Sequence, residues 1–141
     1  MTAVLVDANV LLDVMTEDAR WLAWSAEAIE RAADRYRLVI NPVVYAEVSI
    51  RYSRIEALDA ALPKAMFDRE PIPYEAAFLA GKAFSVYQRR GGKKTVPLPD
   101  FFIGAHAAVS GYALMTRDAA RYRTYFPKLS LIAPNGRSTS R

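Results

Sequence analysis

The chain has 141 residues, 52% of them hydrophobic and 24% charged, the size and balance of one compact globular domain rather than two domains, a disordered tail or a fibre. It has no cysteine, which excludes disulfide frameworks, thiolate catalysis and Cys-type zinc or iron–sulfur sites and fits a reducing cytoplasm. Nineteen Lys and Arg against fifteen Asp and Glu leave a net charge of +4, a mild preference for a polyanionic partner.

Ala3 to Val6 is a short, wholly apolar run that stops at Asp7, as a buried parallel strand does, and a helix is expected after it. Ala19 to Arg35 has no breaker and puts Trp21, Trp24, Ala28 and Ala32 on one helical face. Leu38 to Ile40 reads as a second strand, closed by Asn41 as N-cap and Pro42 at the first position of a helix running to about Arg51. Helices are expected over Arg54–Met66 and Tyr74–Arg90, separated by a Pro71-Ile72-Pro73 break with room for one very short strand. Gln88 to Pro99, rich in Gly, Pro, Arg and Lys, is expected to be an exposed basic loop. Phe101–Ser110 reads as a buried helix, Tyr112–Met115 as a strand, Ala119–Tyr125 as a short helix and Leu129–Ile132 as a last strand. A polar tail follows, so the domain is drawn over 1–133 and the tail over 134–141.

The N-terminus lacks the basic start of a signal peptide. The longest weakly polar stretch, Phe101 to Met115, is broken by His106 and Ser110 and falls short of the ~20 residues of a membrane span. Strands separated by helices imply right-handed βαβ units: a single three-layer α/β/α domain with a central parallel sheet of four to five strands.

In such a sheet, ligands bind in the crevice beyond the carboxyl ends of the strands. Asp7 and Asp118 follow strands, Glu47 lies on the helix leaving Leu38–Ile40, and Asp100 opens the apolar helix. Asp100 and Asp118 are the only acids after residue 80, against eleven cations. Taken singly, Asp7, Asp100 and Asp118 each suit helix capping. Glu47 shares an apolar face with Val43 and Ile50 and needs a partner, whether an Arg, a proton or a metal. Jointly, converging carboxylates stay ionised only if a cation neutralises them. With no Cys and one His, that cation would be Mg²⁺ or Mn²⁺, and Mg²⁺ on few carboxylates points to a phosphoester substrate.

Four segments in register carry a resemblance: V-L-V-D-A-N-V-L-L-D (residues 4 to 13), N-P-V-V-Y-A-E-V (41 to 48), L-P-D-F-F-I-G-A-H-A (98 to 107) and A-L-M-T-R-D (113 to 118). Together they resemble the PIN-domain ribonucleases, and among them the small bacterial toxins of the VapC type. The resemblance implies that Asp7, Glu47, Asp100 and Asp118 hold one or two Mg²⁺ or Mn²⁺ ions, with Asn9 bracing Asp7 and Thr116 preceding the fourth acid. It implies metal-activated water cleaving RNA to leave a 5′-phosphate and a 3′-hydroxyl, a cognate antitoxin bound in a groove near the early helices, a homodimer and a cytoplasmic location. Many relatives carry a further acid and Phe where this chain has Arg121 and Tyr122, a departure that favours a single resident ion.

Arg117, beside Asp118, is the first candidate for substrate phosphate, with a salt bridge to one of the acids as its alternative. Arg89, Arg90, Lys93 and Lys94 are either RNA backbone contacts or a solvated loop. His106 reads as a core or crevice-rim residue rather than a base, Asp13 as a solvated helix residue, and Trp21 and Trp24 as interface side chains. Two other functions share the pattern: a receiver-like phosphoacceptor, which would carry adjacent acids after the first strand, and a nuclease-silent module that binds RNA or protein.

Overall fold

The computed structural model describes residues 3–134, so the tail expected from residue 134 onward lies outside the described residues except for its first position. Strands β1 (Ala3–Val6), β2 (Arg37–Ile40), β3 (Phe67–Arg69), β4 (Ala113–Met115) and β5 (Leu131–Ile132) form one sheet in the order β3-β2-β1-β4-β5. Every neighbouring pair is parallel, as the alternation of strands and helices requires. The first strand of the chain is therefore the middle strand of the sheet, and its four side chains are 0% exposed. That position explains its unbroken apolar run, because a central parallel strand is covered on both faces.

Among the described residues seven helices flank the sheet: α1 (Ala8–Met15), α2 (Leu22–Ala33), α3 (Pro42–Ser49), α4 (Ile55–Ala61), α5 (Tyr74–Arg89), α6 (Pro99–Ser110) and α7 (Ala120–Tyr125). From β1 the chain steps outward to β2 and β3, then crosses back past β1 to β4 and β5. Right-handed crossovers consequently place α1 to α4 on one face and α5 to α7 on the other. The direction of travel reverses between β1 and β4, and the crevice above their carboxyl ends is the switch point at which such sheets place ligands.

Of the expected boundaries that moved, four have a clear local reason. The helix expected from Ala19 starts at Leu22, because Asp18 Oδ1 accepts the backbone N–H groups of Arg20 and Trp21 at 2.9 Å each and holds them in a turn. The helix expected to reach Met66 ends at Ala61, because Leu62 precedes Pro63 and is pushed out of helical geometry to φ −121°, ψ 69°. The short strand expected at Pro71–Pro73 forms instead at Phe67–Arg69, where every residue can donate to the ladder. The last apolar helix begins at Pro99, two residues early, with proline in its first turn and Gly111 at φ +72° closing it in the left-handed region.

Helices α6 and α7 approach closely because Gly104 has no side chain. A Cβ there would lie 2.6 Å from the Phe126 ring and 3.1 Å from the Tyr122 ring. This contact sets how far Tyr122 reaches toward the sheet.

Candidate active site

The β1–β4 register pairs Val6 with Met115, so the next residues, Asp7 and Thr116, stand side by side beyond the carboxyl ends of the two central strands. The Asp7 backbone N–H donates to the Met115 carbonyl at 2.8 Å, which fixes the acid at the end of the sheet. Its Oδ1 accepts the Ala8 N–H at 2.8 Å, making Asp7 the cap of α1. Its Oδ2 accepts from the Thr116 hydroxyl and from the Tyr122 hydroxyl, both at 2.9 Å. All three donors are neutral. Burial therefore dominates, helped by the charge of Asp100, and pushes the Asp7 carboxyl up from 3.8 to about 6 despite the hydrogen bonds.

Glu47 reaches the crevice from α3, where it is half-buried. Its carboxyl is pushed up from 4.5 to about 7, first by burial and then by the negative charges of Asp7 and Asp100. The arginine partner admitted for it from sequence is not what it faces. Asp100 arrives from the first turn of α6 and is likewise raised by burial, with Asp118 adding to the rise. The Arg121 guanidinium, 3.7 Å from Asp100 Oδ2, and the Tyr122 hydroxyl, 3.3 Å from Oδ1, oppose that rise. Asp118 is exposed at the rim. Capping explains only one of the three acids for which it was considered: the cap of α6 is Leu98 and that of α7 is Ala119.

The loop after β4 is held by side chains. Thr116 is fully buried, and its Oγ1 receives Asn9 Nδ2 at 3.2 Å and the Asp118 backbone N–H at 3.1 Å while donating to Asp7. Asn9 Oδ1 accepts the Arg117 backbone N–H at 3.2 Å. Asn9 thus braces the loop, and reaches Asp7 only through Thr116.

One reading from sequence is corrected here. Asp13 is 2% exposed instead of solvated, and its carboxylate accepts Ser25 Oγ at 2.7 Å and Arg117 Nε and Nη2 at 2.8 and 3.0 Å. Arg117 also lies over the Trp21 ring at 5.6 Å. The salt bridge admitted as its alternative forms, to Asp13 rather than to a crevice acid, through two of the five guanidinium N–H donors. Arg89, Arg90, Lys93 and Lys94 are all exposed, with Arg90 over the Tyr125 ring at 5.6 Å. His106 is a core residue, 0% exposed. Its Nδ1 lies 3.0 Å from Asn41 Nδ2, while Asn41 Oδ1 caps α3 through the Val44 N–H at 2.9 Å. Burial lowers the proton affinity of His106, leaving Nδ1 to accept from Asn41 and so steady the helix that carries Glu47.

Sequence reasoning missed Asp13 and Tyr122. Asp13 falls three residues after the buried Val10, the same apolar-stripe argument that singled out Glu47. Tyr122 gave no signal as an acid-bridging group, because the contact depends on the bare Gly104 in a different helix.

The carboxylates linked to one another by charge here are those of Asp7, Glu47, Asp100 and Asp118. Acids that raise one another's proton affinity form a donor set that a hard cation relieves. Among the described residues no three Asp, Glu or His side chains close on one point tightly enough to cage an ion by themselves. Mg²⁺ itself keeps several waters and is typically held by one or two carboxylates together with substrate phosphates.

An open parallel sheet with a buried acid crevice at its switch point defines the class of protein. Residues 4–127 match the family model of the PIN domain, and the chain belongs to that family. Among solved structures it is similar to VapBC2 from Rickettsia felis, bound to a DNA fragment from its promoter, at 16% identity and TM-score 0.72 over 94% of this chain and 98% of that one. It is similar to VapBC-1 from nontypeable Haemophilus influenzae at 18% identity and TM-score 0.70, again over 94% and 98%. A toxin–antitoxin complex from Klebsiella pneumoniae follows the same fold at 20% identity and TM-score 0.62 over 93% and 97%. A comparison with curated protein sequences gives no match. The family match leaves the receiver-like alternative without support, and Asp7 is followed directly by α1 with no second acid beside it.

Proposed function

We propose that this protein is a divalent-metal-dependent endoribonuclease of the VapC type, the toxin of a toxin–antitoxin pair. The observation that carries the reading is Asp7: a carboxylate buried at the centre of the sheet, given only neutral donors and faced by further acids, in a chain of the PIN family. Asp7, Glu47, Asp100 and Asp118 would hold one or two Mg²⁺ or Mn²⁺ ions. Such an ion supplies Lewis acidity and an activated water for in-line hydrolysis of an RNA phosphodiester, leaving a 5′-phosphate and a 3′-hydroxyl.

The chain's own residues supply the rest. Thr116 and Tyr122 fix the rotamer of Asp7 by donating to the same oxygen, and both bonds favour its ionised form against the effect of burial. Asn9 and Thr116 shape the loop that presents Asp118. Exposed Arg89, Arg90, Lys93 and Lys94 attract the polyanion without reading its sequence.

The antitoxin partner is proposed from the similarity to VapBC complexes and from a groove of about 560 Å³ between α1, α2 and the segment leading into β3, with Leu11, Val14, Ile29 and Met66 among its walls. Among the described residues no helix is long and apolar enough to cross a membrane; the cytoplasmic location and the homodimer are proposed with the toxin reading. In a cleavage assay on RNA with Mg²⁺ or Mn²⁺, Asp7→Asn and Asp100→Asn should each lose about a hundredfold or more, the several kcal/mol that metal activation supplies. Metal-dependent cleavage that persists in both folded variants refutes the assignment.

A further inference from the structure

Arg121 and Arg117 both lie beside the acid crevice, but they are held differently. Arg117 is pinned by the fold: two of its nitrogens bind buried Asp13 at 2.8 and 3.0 Å. Arg121 stands 3.7 Å from Asp100 Oδ2, beyond the 2.7–2.9 Å of a charge-assisted hydrogen bond, so its donors are not closed onto the acid. Its place is fixed from another side. The guanidinium lies 5.7 Å from the ring centres of both Tyr87 and Phe101, a cation–π seat that holds the group without consuming its N–H donors.

That seat belongs to a larger aromatic platform. Tyr87, Phe101 and Tyr125 contact one another with ring centres 5.4–6.2 Å apart. Arg90 lies over the Tyr125 ring at 5.6 Å, and the exposed Lys93 and Lys94 follow it in the same loop. Two cations, Arg121 and Arg90, therefore sit on the one platform, with Arg121 at its acid side. Arg121 is about one-third exposed, so a guanidinium steadied by ring contacts and not closed onto a carboxylate keeps N–H donors for phosphate oxygens.

The geometry points to Arg121 as the phosphate-binding residue of the acid crevice, a built-in cation that contacts the RNA phosphodiester and takes the charge place of a second divalent ion. This rests on the nuclease reading and deepens it. Arg121 is the ion-pair partner of the acid that a second ion would need, so that acid is already partly neutralised. The site then works with one exchangeable ion and one fixed guanidinium.

Two measurements that need no turnover test the assignment. Mn²⁺ titration followed by electron paramagnetic resonance should give about one ion per wild-type chain and about two for Arg121→Asp, which adds a ligand where the cation stood. Binding of a short fluorescein-labelled single-stranded RNA, read by anisotropy in EDTA, should weaken about fivefold to tenfold in Arg121→Gln, with the salt slope reduced by about one. Arg121→Lys should restore the slope but not the full affinity, because the charge returns without the planar fork. Lys128→Gln is the matched control: it removes the same charge at an exposed position before β5, at the amino end of the sheet. Thermal melting establishes that each variant is folded. Two tightly bound Mn²⁺ in the wild type, or an Arg121→Gln that binds RNA like Lys128→Gln, overturns the proposal. Absence of cleavage by the wild type with these binding differences intact overturns the nuclease reading alone.

Discussion

Asp7 caps the first helix and Asp13 lies within it; they are almost equally buried, 4% and 2% exposed, yet their surroundings differ in kind. Asp13 meets a guanidinium through two bonds and a hydroxyl through a third, so its charge is matched within the fold. Asp7 meets a backbone N–H and two hydroxyls, with Asp100 and Glu47 nearby, and its charge is not matched. Burial alone does not separate a structural carboxylate from a functional one. The sign of what surrounds it does: Asp13 joins α1 to the loop after β4, while Asp7 is left to be neutralised from solution.

Breaking the matched pair should have the largest effect on folding. Asp13→Asn leaves Arg117 without its counter-charge, and breaking a buried pair costs about 3–5 kcal/mol. Arg117 is 29% exposed, so the loss belongs at the low end of that range. Urea denaturation should show it, and Asp7→Asn, which removes an unmatched charge, should show none of it.

The unmatched cluster should reveal itself through pH. In the folded state Asp7 holds its proton up to about 6, against an ordinary value of 3.8, and Glu47 holds its own up to about 7, against 4.5. The folded state thus binds more protons than the unfolded chain in this window. Metal-free stability should fall as pH rises from about 4 to about 7, with Asp7 contributing at most about 3 kcal/mol. Added Mn²⁺ should recover the loss at about pH 8 by binding the folded state, and Asp7→Asn should flatten both responses. A melting temperature that rises steadily over that window without metal contradicts the unmatched reading.

The smallest expected effect sharpens the role of Tyr122. Tyr122→Phe removes one donor shared by two acids and should cost about 1 kcal/mol of stability. Nuclear magnetic resonance titration of the Asp7 carboxyl should show its proton affinity rising further, because a bond that favours the ionised form is lost. An unchanged Asp7 titration would mean that the hydroxyl does not tune the acid.

Much of this was legible in the chain. The apolar runs at residues 3–6, 38–40 and 113–115 form the three central strands, because buried parallel strands leave no room for polar alternation. Asp7, Glu47 and Asp100 were found from their places after strands or on an apolar face, and the fold brings them to one crevice. Local chemistry at Asp18, Pro63 and Pro71 moved element ends by a few residues. Asp13, Arg117 and Tyr122 were less legible for a different reason: their partners lie about a hundred residues away, and no pattern in a single helix encodes such a pair.

The central position of the first strand also bears on when activity can begin. Asp7 is made early, but its donors Thr116 and Tyr122 come from the last third of the chain, as does Arg121. Before those residues leave the ribosome, β1 lacks one of its two neighbours and the acid crevice lacks a wall. Folding dominated by such distant pairings is slow and late. If the crevice cuts RNA, the nascent chain is harmless to the ribosome and message that produce it until residues 113–122 have emerged and folded against β1.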